Sequence, residues 1–388
     1  MPRKTGEYQQ TRFDSESVLA FIPYPLPPQE PALIVNDEML ALLHAAEKSL
    51  ARLETATTMI PSPELFIYAF VRKEAVISSQ VEGTQATLVD IFNYEADAWS
   101  PQRNLEDVQD VCNYLDALKY AFAQLDSAKG LPVSMRLLNE THKRLLKGTR
   151  GEHKQPGQIR TSQNWIGGSR PGNATYVPPP PSALGDALSA MEKYIHGKDS
   201  LHLLIRIGLV HVQFESIHPY LDGNGRIGRL LIALLLKYYG LLSQPLLYLS
   251  LHFNRNRQAY YDRLMAVRTQ GQWEAWTCFF LQGVRDVADE SMVTAQKLFQ
   301  LLNTDRRRLV HSEGTTMASC RLFEYLPTHP IVTQDSVASL LQMSKPTAKQ
   351  AIDILVRQAI LTELTGRRRN RSFGYANYLT ILNADDAG

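Results

Sequence analysis

With 388 residues, 44% of them hydrophobic and 21% charged, the chain has the length for two or three domains and the apolar content for a sizeable core. A formal net charge of +2 excludes a globally basic nucleic-acid coat and a polybasic membrane anchor. Cys112, Cys278 and Cys320 are too few and too scattered for a disulfide framework or a metal-ligand spacing, so they read as core or surface residues of a protein in a reducing cytoplasm.

Met1 to Gln10 is polar and lacks the apolar stretch of a secretory signal, which agrees with a cytoplasmic location. Residues 1 to about 35 contain Ile22-Pro23-Tyr24-Pro25-Leu26-Pro27-Pro28, which no helix interior accommodates; they read as an extended arm packed on the body. From Asp37 to Ala128 the pattern is helical, with Leu40, Leu43 and Leu50, then Val108, Val111, Leu115 and Leu118, at helical spacing. A helix is predicted from Ser134 to Leu146. Gly151 to Pro181 then loses periodicity and gains Gly, Pro and Asn, and irregular chain of that length inside a helical body is usually functional. Helices resume at Ser182 to His196, Leu201 to Ile217, after Gly225, at Asn256 to Arg268 and at Trp273 to Leu302. Leu230 to Leu236 is too short to span a bilayer and reads as a buried core helix, so no membrane is involved.

The character changes after about Gly314. Arg321 to Tyr325, Asp335 to Leu341 and Pro346 to Gln358 read as three short helices. A strand at Ile360 to Leu364, the basic run Gly366 to Arg371 and a β-prone Ser372 to Tyr378 follow. Helix–turn–helix plus a basic-tipped hairpin is the pattern of a winged helix–turn–helix domain. Its Arg367, Arg368, Arg369 and Arg371, with Lys345 and Lys349, could meet DNA phosphates; a protein-binding module fits the same pattern. The expected fold class is therefore all-α, with a C-terminal winged helix domain.

The densest chemistry lies in His218-Pro219-Tyr220-Leu221-Asp222-Gly223-Asn224-Gly225-Arg226-Ile227-Gly228-Arg229. Gly223 and Gly225 let the backbone curl into a helix start whose free N–H groups bind anions. Arg226 and Arg229 are three apart and share a helical face, and no carboxylate follows at helical spacing to pair them, which leaves them free for a polyphosphate. Asp222 can hold a hard cation such as Mg²⁺, and His218 can take a proton from an attacking hydroxyl. On its own, a His-Pro at a helix end would be a cap or a buried ring, and Asp-Gly and Asn-Gly would be ordinary turns. Glu215, one turn earlier, either orients the His218 ring or faces solvent. Gly197-Lys198 lacks the upstream glycine of a P-loop.

This stretch resembles the Fic family signature, His-Pro-(aromatic)-x-(Asp/Glu)-Gly-Asn-(Gly/Lys)-Arg-x-x-Arg, at every specified position. Pro156 to Arg160, Trp165-Ile166-Gly167-Gly168 and Tyr176 to Pro181 resemble the loop and β-hairpin flap over that family's active site, with Ile166, Gly167 and Gly168 as flap residues. Ser78-Ser79-Gln80-Val81-Glu82-Gly83 matches the family's inhibitory motif, (Ser/Thr)-x-x-x-Glu-(Gly/Asn), with Ser78 and Glu82 four apart. The resemblance implies transfer of AMP from ATP, with Mg²⁺, to a Ser, Thr or Tyr hydroxyl of a target protein or of the chain itself. His218 would be the base and Asp222 the metal ligand; Gly223, Asn224 and Gly225 would form the anion hole, with Arg226 and Arg229 on the outer phosphates. Gly225 in place of Lys points away from the phosphorylating branch. Glu82 would pair with Arg229 and obstruct the γ-phosphate, Ser78 and Gly83 completing the inhibitory motif. His252 and Tyr261 fall where relatives place groups near the adenine.

The implied domains are an N-terminal arm and helices over 1–110, with the inhibitory helix at about 72–84, a catalytic core over 111–305 and the winged helix over 315–385. A homodimer is compatible with such helical surfaces. Two rival readings stay open: the same site removing AMP, with Glu82 orienting a water, and a DNA-binding regulator with an ATP-sensing core.

Overall fold

The structure, a computed structural model, describes residues 3–13, 16–59, 64–98 and 105–384. It opens with two strands, β1 (Gly6–Phe13) and β2 (Glu16–Pro23), paired antiparallel from Gly6 opposite Pro23 to Phe13 opposite Glu16. This corrects the reading of a single extended arm. β2 turns Val18 and Ala20 inward and leaves Ser17 and Leu19 outside, the period of two that a half-buried strand requires, and the proline run begins only at its last residue.

Helices make up most of the rest. The stretch from Asp37 to Ala128 forms α1 (Asp37–Met59), α2 (Glu64–Val81), α3 (Leu88–Glu95) and α4 (Leu105–Asp126), while residues 60–63 and 99–104 lie outside those described. Then come α5 (Met135–Leu145), α6 (Pro181–His196), α7 (Leu203–Ile217), α8 (Asn224–Tyr238), α9 (Ser250–Arg255), α10 (Arg257–Gln270) and α11 (Trp273–Val310). Sequence periodicity missed the short α9 and stopped α11 eight residues early, at Leu302. Every residue of α7 from Leu204 to Ile217 is buried. A helix buried around its whole circumference must be surrounded, and α6, α8, α10 and α11 enclose it. The centre of the core therefore lies directly beneath the 218–229 motif, which gives that turn a rigid base. Trp276 adds to it by donating its indole N–H to the Gly208 carbonyl inside α7 at 2.9 Å.

The C-terminal unit runs α12 (Met317–Tyr325), β3 (Ile331–Thr333), α13 (Gln334–Leu340), α14 (Lys345–Arg357), β4 (Thr362–Glu363), β5 (Ser372–Gly374) and α15 (Ala376–Asn383). Its sheet has the order β3-β5-β4, both pairings antiparallel. The β-prone reading of Ser372 to Tyr378 is corrected in its second half. From Ala376 the chain is helical, burying Tyr378, Leu379 and Leu382 at helical spacing. Tyr375 fastens that helix to α11, its hydroxyl donating to Asp305 Oδ2 at 2.6 Å. Cys112, Cys278 and Cys320 are free thiols, and among the described residues no helix is long and apolar enough to cross a membrane.

Candidate active site

The motif turn is shaped by its backbone. His218 takes a left-handed conformation (φ 50°, ψ 62°), which ends α7, and Pro219 cannot resume it. A non-glycine residue in that region costs on the order of 1–2 kcal/mol, so it persists only where neighbours impose it. Arg160, 1% exposed, does so. Its Nε donates to the His218 carbonyl (2.9 Å), its Nη2 to the Pro179 carbonyl (2.6 Å), and its backbone N–H to the Pro219 carbonyl (2.9 Å). Asn224 closes the far side, Oδ1 accepting from the Tyr220 N–H and Nδ2 donating to the Tyr220 carbonyl, both at 2.8 Å. Gly223, at φ 75°, supplies the left-handed residue before α8.

His142, from α5, braces the same turn. Its Nδ1 accepts from the Gly157 N–H (2.8 Å), so Nε2 carries the ring proton and donates to the Asp222 carbonyl (2.9 Å). The ring stacks on Tyr220 with centroids 3.9 Å apart. No local pattern singles out a histidine 80 positions before Asp222.

Beside this turn lies a cavity of about 510 Å³ whose wall brings together His218, Glu215, Gly225, Arg229, Glu82 and the flap residues Ile166 and Gly167, with Tyr260 and Tyr261 of α10. Burial first, then the Arg268 and Arg160 guanidiniums, push the His218 imidazole down to about 3, so the ring is a neutral proton acceptor. The N–H groups of the first turn of α8 have no acceptor within the helix. Gly223 differs from the anion-hole expectation in that its N–H already donates to Asp222 Oδ1 at 2.6 Å. Asp222, Gly223, Asn224 and Arg226 stand next to the cavity on the turn rather than on its wall.

Arg229 Nε donates to Ser78 Oγ (2.9 Å), and its Nη2 to the Ser78 carbonyl (2.8 Å) and Glu82 Oε1 (2.7 Å). Desolvation at the cavity wall works against the Glu82 charge, although 39% of its side chain stays accessible, and Arg229, then Arg226, hold its carboxyl below the ordinary range. Glu82 lies one residue beyond α2, in a turn that Gly83 completes at φ 99°. The helix expected over 72–84 thus begins earlier and ends before its carboxylate. A side chain at position 225 would collide with Glu82 Oε1 and come within 3.0 Å of Arg229 Nη1, so glycine there is what admits the glutamate.

Two expectations are corrected. Arg226 is not left free: its Nη1 lies 3.5 Å from Asp110 of α4 and its Nη2 3.9 Å from Asp222, the carboxylate that precedes it at helical spacing. Glu215 does not face solvent; it is buried on the cavity wall, and burial, reinforced by Glu82 and opposed by Arg229, raises its carboxyl to about 7. Tyr261 lines the cavity, whereas His252 is turned against Phe279 with ring centroids 4.4 Å apart.

The flap is a hairpin held by reciprocal hydrogen bonds between Ile166 and Tyr176 (2.8 and 3.1 Å), with Gly167 and Gly168 at φ 70° and 73° entering its tip. Tyr176 ties it to the end of α7, donating to the Ser216 carbonyl at 2.6 Å beneath the Arg268 guanidinium. The N-terminal hairpin backs it: the Phe21 N–H donates to the Val177 carbonyl (2.9 Å), and Glu16 accepts from the Gly172 N–H (2.9 Å) and pairs with Arg170.

Burial of neutral histidines makes the fold acid-sensitive. Desolvation pushes His142 and His252 down to about 4 and His211 and His218 to about 3, and raises Glu74 and Glu215 to about 7. Between roughly pH 4.5 and 6.5 the unfolded chain protonates the four histidines, while the folded chain keeps two carboxyl protons that unfolding releases. The net uptake on unfolding is about two protons, so these groups lower stability by about 3 kcal/mol per pH unit of acidification. Urea midpoints are expected to drop from pH 6.5 to pH 5; a flat profile would contradict neutral burial.

Residues 40–123 match the Fic/DOC family N-terminal domain and residues 132–236 the Fic/DOC family domain. The chain is 33% identical over 129 residues to a protein named protein adenylyltransferase Fic from Drosophila grimshawi, covering 32% of this chain and 24% of that protein. To the protein of the same name from Drosophila willistoni it is 26% identical over 212 residues, covering 53% of this chain and 39% of that one. The chain thus spans about a quarter to two fifths of these curated relatives. A solved Fic family protein from Desulfovibrio desulfuricans G20 superposes with a TM-score of 0.57 at 16% identity, over 88% of this chain and 97% of that one, a likeness of fold.

Proposed function

The chain belongs to the Fic/DOC family, and on that premise we propose that it is a protein adenylyltransferase. It moves AMP from ATP to a Ser, Thr or Tyr hydroxyl of a protein and releases pyrophosphate. The observation that carries this reading is the convergence of a neutral imidazole, Gly225 at the start of α8 and Arg229 on one cavity. Anion-binding N–H groups and a guanidinium seat the phosphates, so the reaction becomes a matter of positioning and charge neutralisation. His218 takes the proton of the incoming hydroxyl, whose oxygen bonds to the α-phosphorus as the bond to the bridging oxygen of pyrophosphate breaks.

Among the described residues no cluster of three or more His, Cys, Asp or Glu side chains could enclose a metal. Mg²⁺ is usually held by one or two carboxylates, water and substrate phosphates, and the half-open Asp222 is the carboxylate at hand. When bound there, Mg²⁺ would neutralise phosphate charge. Glu82 is inhibitory: on Arg229 it occupies the seat of a phosphate oxygen and favours unproductive ATP. The flap edge takes an extended target segment by strand addition.

The C-terminal unit is a winged helix. Its polar cleft, about 930 Å³, is lined by Lys349 and Arg367 to Arg371 but also by Asp97, Asp353 and Asp335, the last paired with Lys345 at 2.7 Å; a second role in binding DNA phosphates rests on the arginine loop. The catalytic reading is tested by intact-mass and peptide mass spectrometry of the Glu82→Gly chain after incubation with ATP and Mg²⁺, alone and with added proteins. An AMP-sized increment on a hydroxyl residue is expected. A phosphate-sized increment, or none on any protein present, overturns it.

A further inference from the structure

We propose that α15, the helix that closes the C-terminal unit, latches α2 and thereby holds Glu82 in its inhibitory position; this rests on the reading of Glu82 as inhibitory. The latch is Lys73. It lies on α2, 1% exposed, and its Nζ donates to the Leu382 carbonyl at 2.7 Å, with the Tyr248 ring centroid 5.1 Å away. Leu382 is in the last turn of α15. Carbonyls there have no donor within their own helix and sit at the negative end of its dipole, a natural seat for an ammonium. An ammonium is costly to bury and is retained where a partner meets it. Here one of its partners belongs to a different unit of the chain.

The next residue, about 100° round the helix, is held by the Fic body. Glu74 is buried and accepts from the Ser250 N–H (3.2 Å), the Ser250 hydroxyl and the Tyr114 hydroxyl (3.2 Å). The middle of α2 is therefore seated on α9 and α4 through Glu74, while Lys73 ties it to the last turn of α15. Lys73 precedes Glu82 by nine residues, with Ser78 between them on the same rigid helix. A shift of α15 removes this acceptor from Lys73 and opens one wall around α2. Ser78 and Glu82 then withdraw from Arg229 together.

α15 also has its own anchors, the Tyr375 hydroxyl on Asp305 and the Tyr378 hydroxyl on the Pro327 carbonyl (3.0 Å). It follows directly on β5, which leads out of the Arg367 to Arg371 loop. An event in the C-terminal cleft thus has a short covalent path to the helix that blocks the active site.

The test uses the full chain. Lys73→Met removes the ammonium while keeping most of the stem. Tyr375→Phe loosens α15 without touching α2, and Glu82→Gly is the reference. AMP incorporation from α-labelled ATP and hydrogen exchange over 74–82 are measured on each. Both latch variants are expected to exchange faster over 74–82 and to label about 5-fold or more above wild type, the range of ordinary allosteric coupling. Adding either change to Glu82→Gly should bring no further rise. If Glu82→Gly is activated while both latch variants label and exchange like wild type, the latch is wrong. If Glu82→Gly is not activated, the inhibition reading has failed. Exchange then decides alone: faster exchange over 74–82 sustains the latch, and unchanged exchange overturns it.

Discussion

Replacing Glu82 by Gly should raise AMP incorporation by about 10- to 100-fold at fixed ATP and Mg²⁺. The estimate comes from the contact removed. Glu82 Oε1 lies 2.7 Å from Arg229 Nη2, and the Arg229 side chain is only 2% exposed. A hydrogen bond to a charged group contributes about 1.5–3 kcal/mol, and each 1.4 kcal/mol is about a tenfold change in an equilibrium. The Glu82 carboxylate and a phosphate oxygen cannot share that guanidinium edge without facing each other as like charges. Because Glu82 follows the last turn of α2, glycine at this position leaves the helix itself intact. The variant does leave a buried arginine short of its carboxylate. Its melting temperature should therefore fall somewhat and recover when ATP and Mg²⁺ occupy the site. Equal labelling by wild type and Glu82→Gly would refute inhibition by this residue.

His218→Ala, made in the Glu82→Gly background so that the signal is measurable, should lower AMP transfer by about 10²- to 10⁴-fold, the usual contribution of a positioned general base. ATP affinity should change by less than about threefold, because the imidazole meets the incoming hydroxyl and not the phosphates. The neutral ring is already in place for this role. Burial, Arg268 and Arg160 keep it unprotonated in the unliganded protein, so long-range ¹⁵N spectra at pH 6 should show a neutral tautomer at His218. Strong labelling by His218→Ala would remove the base from this histidine. Loss of ATP binding along with labelling would show that its role is to hold the site together.

The two variants separate positions whose chemistry could be anticipated to very different degrees. The spacing of His218, Gly225 and Arg229 implies a shared anion site, the resemblance to the family's inhibitory motif adds Glu82, and all four line one cavity. Glu82 was nonetheless expected within a helix, whereas it lies just past one. The left-handed Gly83 turn that swings it out is a tertiary outcome of α2 docking on α4 and α9. No carboxylate follows Arg226 at helical spacing, which points to a free guanidinium. Asp222 stands one turn before it, and Asp110 arrives from a separate helix. His252 is the opposite case: its neighbourhood in sequence suggested the adenine, but packing on Phe279 turns it elsewhere.

Sequence by itself determined the helical class and the motif turn, because each depends on side chains a few residues apart; the resemblance to the Fic signature added the expectations that Glu82 meets Arg229, 147 positions on, and that the flap lies at Ile166 to Gly168. Only the tertiary structure decided what braces these parts. Arg160 on the His218 carbonyl, His142 on the Asp222 carbonyl, the N-terminal hairpin behind the flap and Lys73 on α15 join residues far apart in the chain. The reason is physical. Local periodicity records which face of an element is apolar, whereas a buried polar group records its partner only once packing has closed around both.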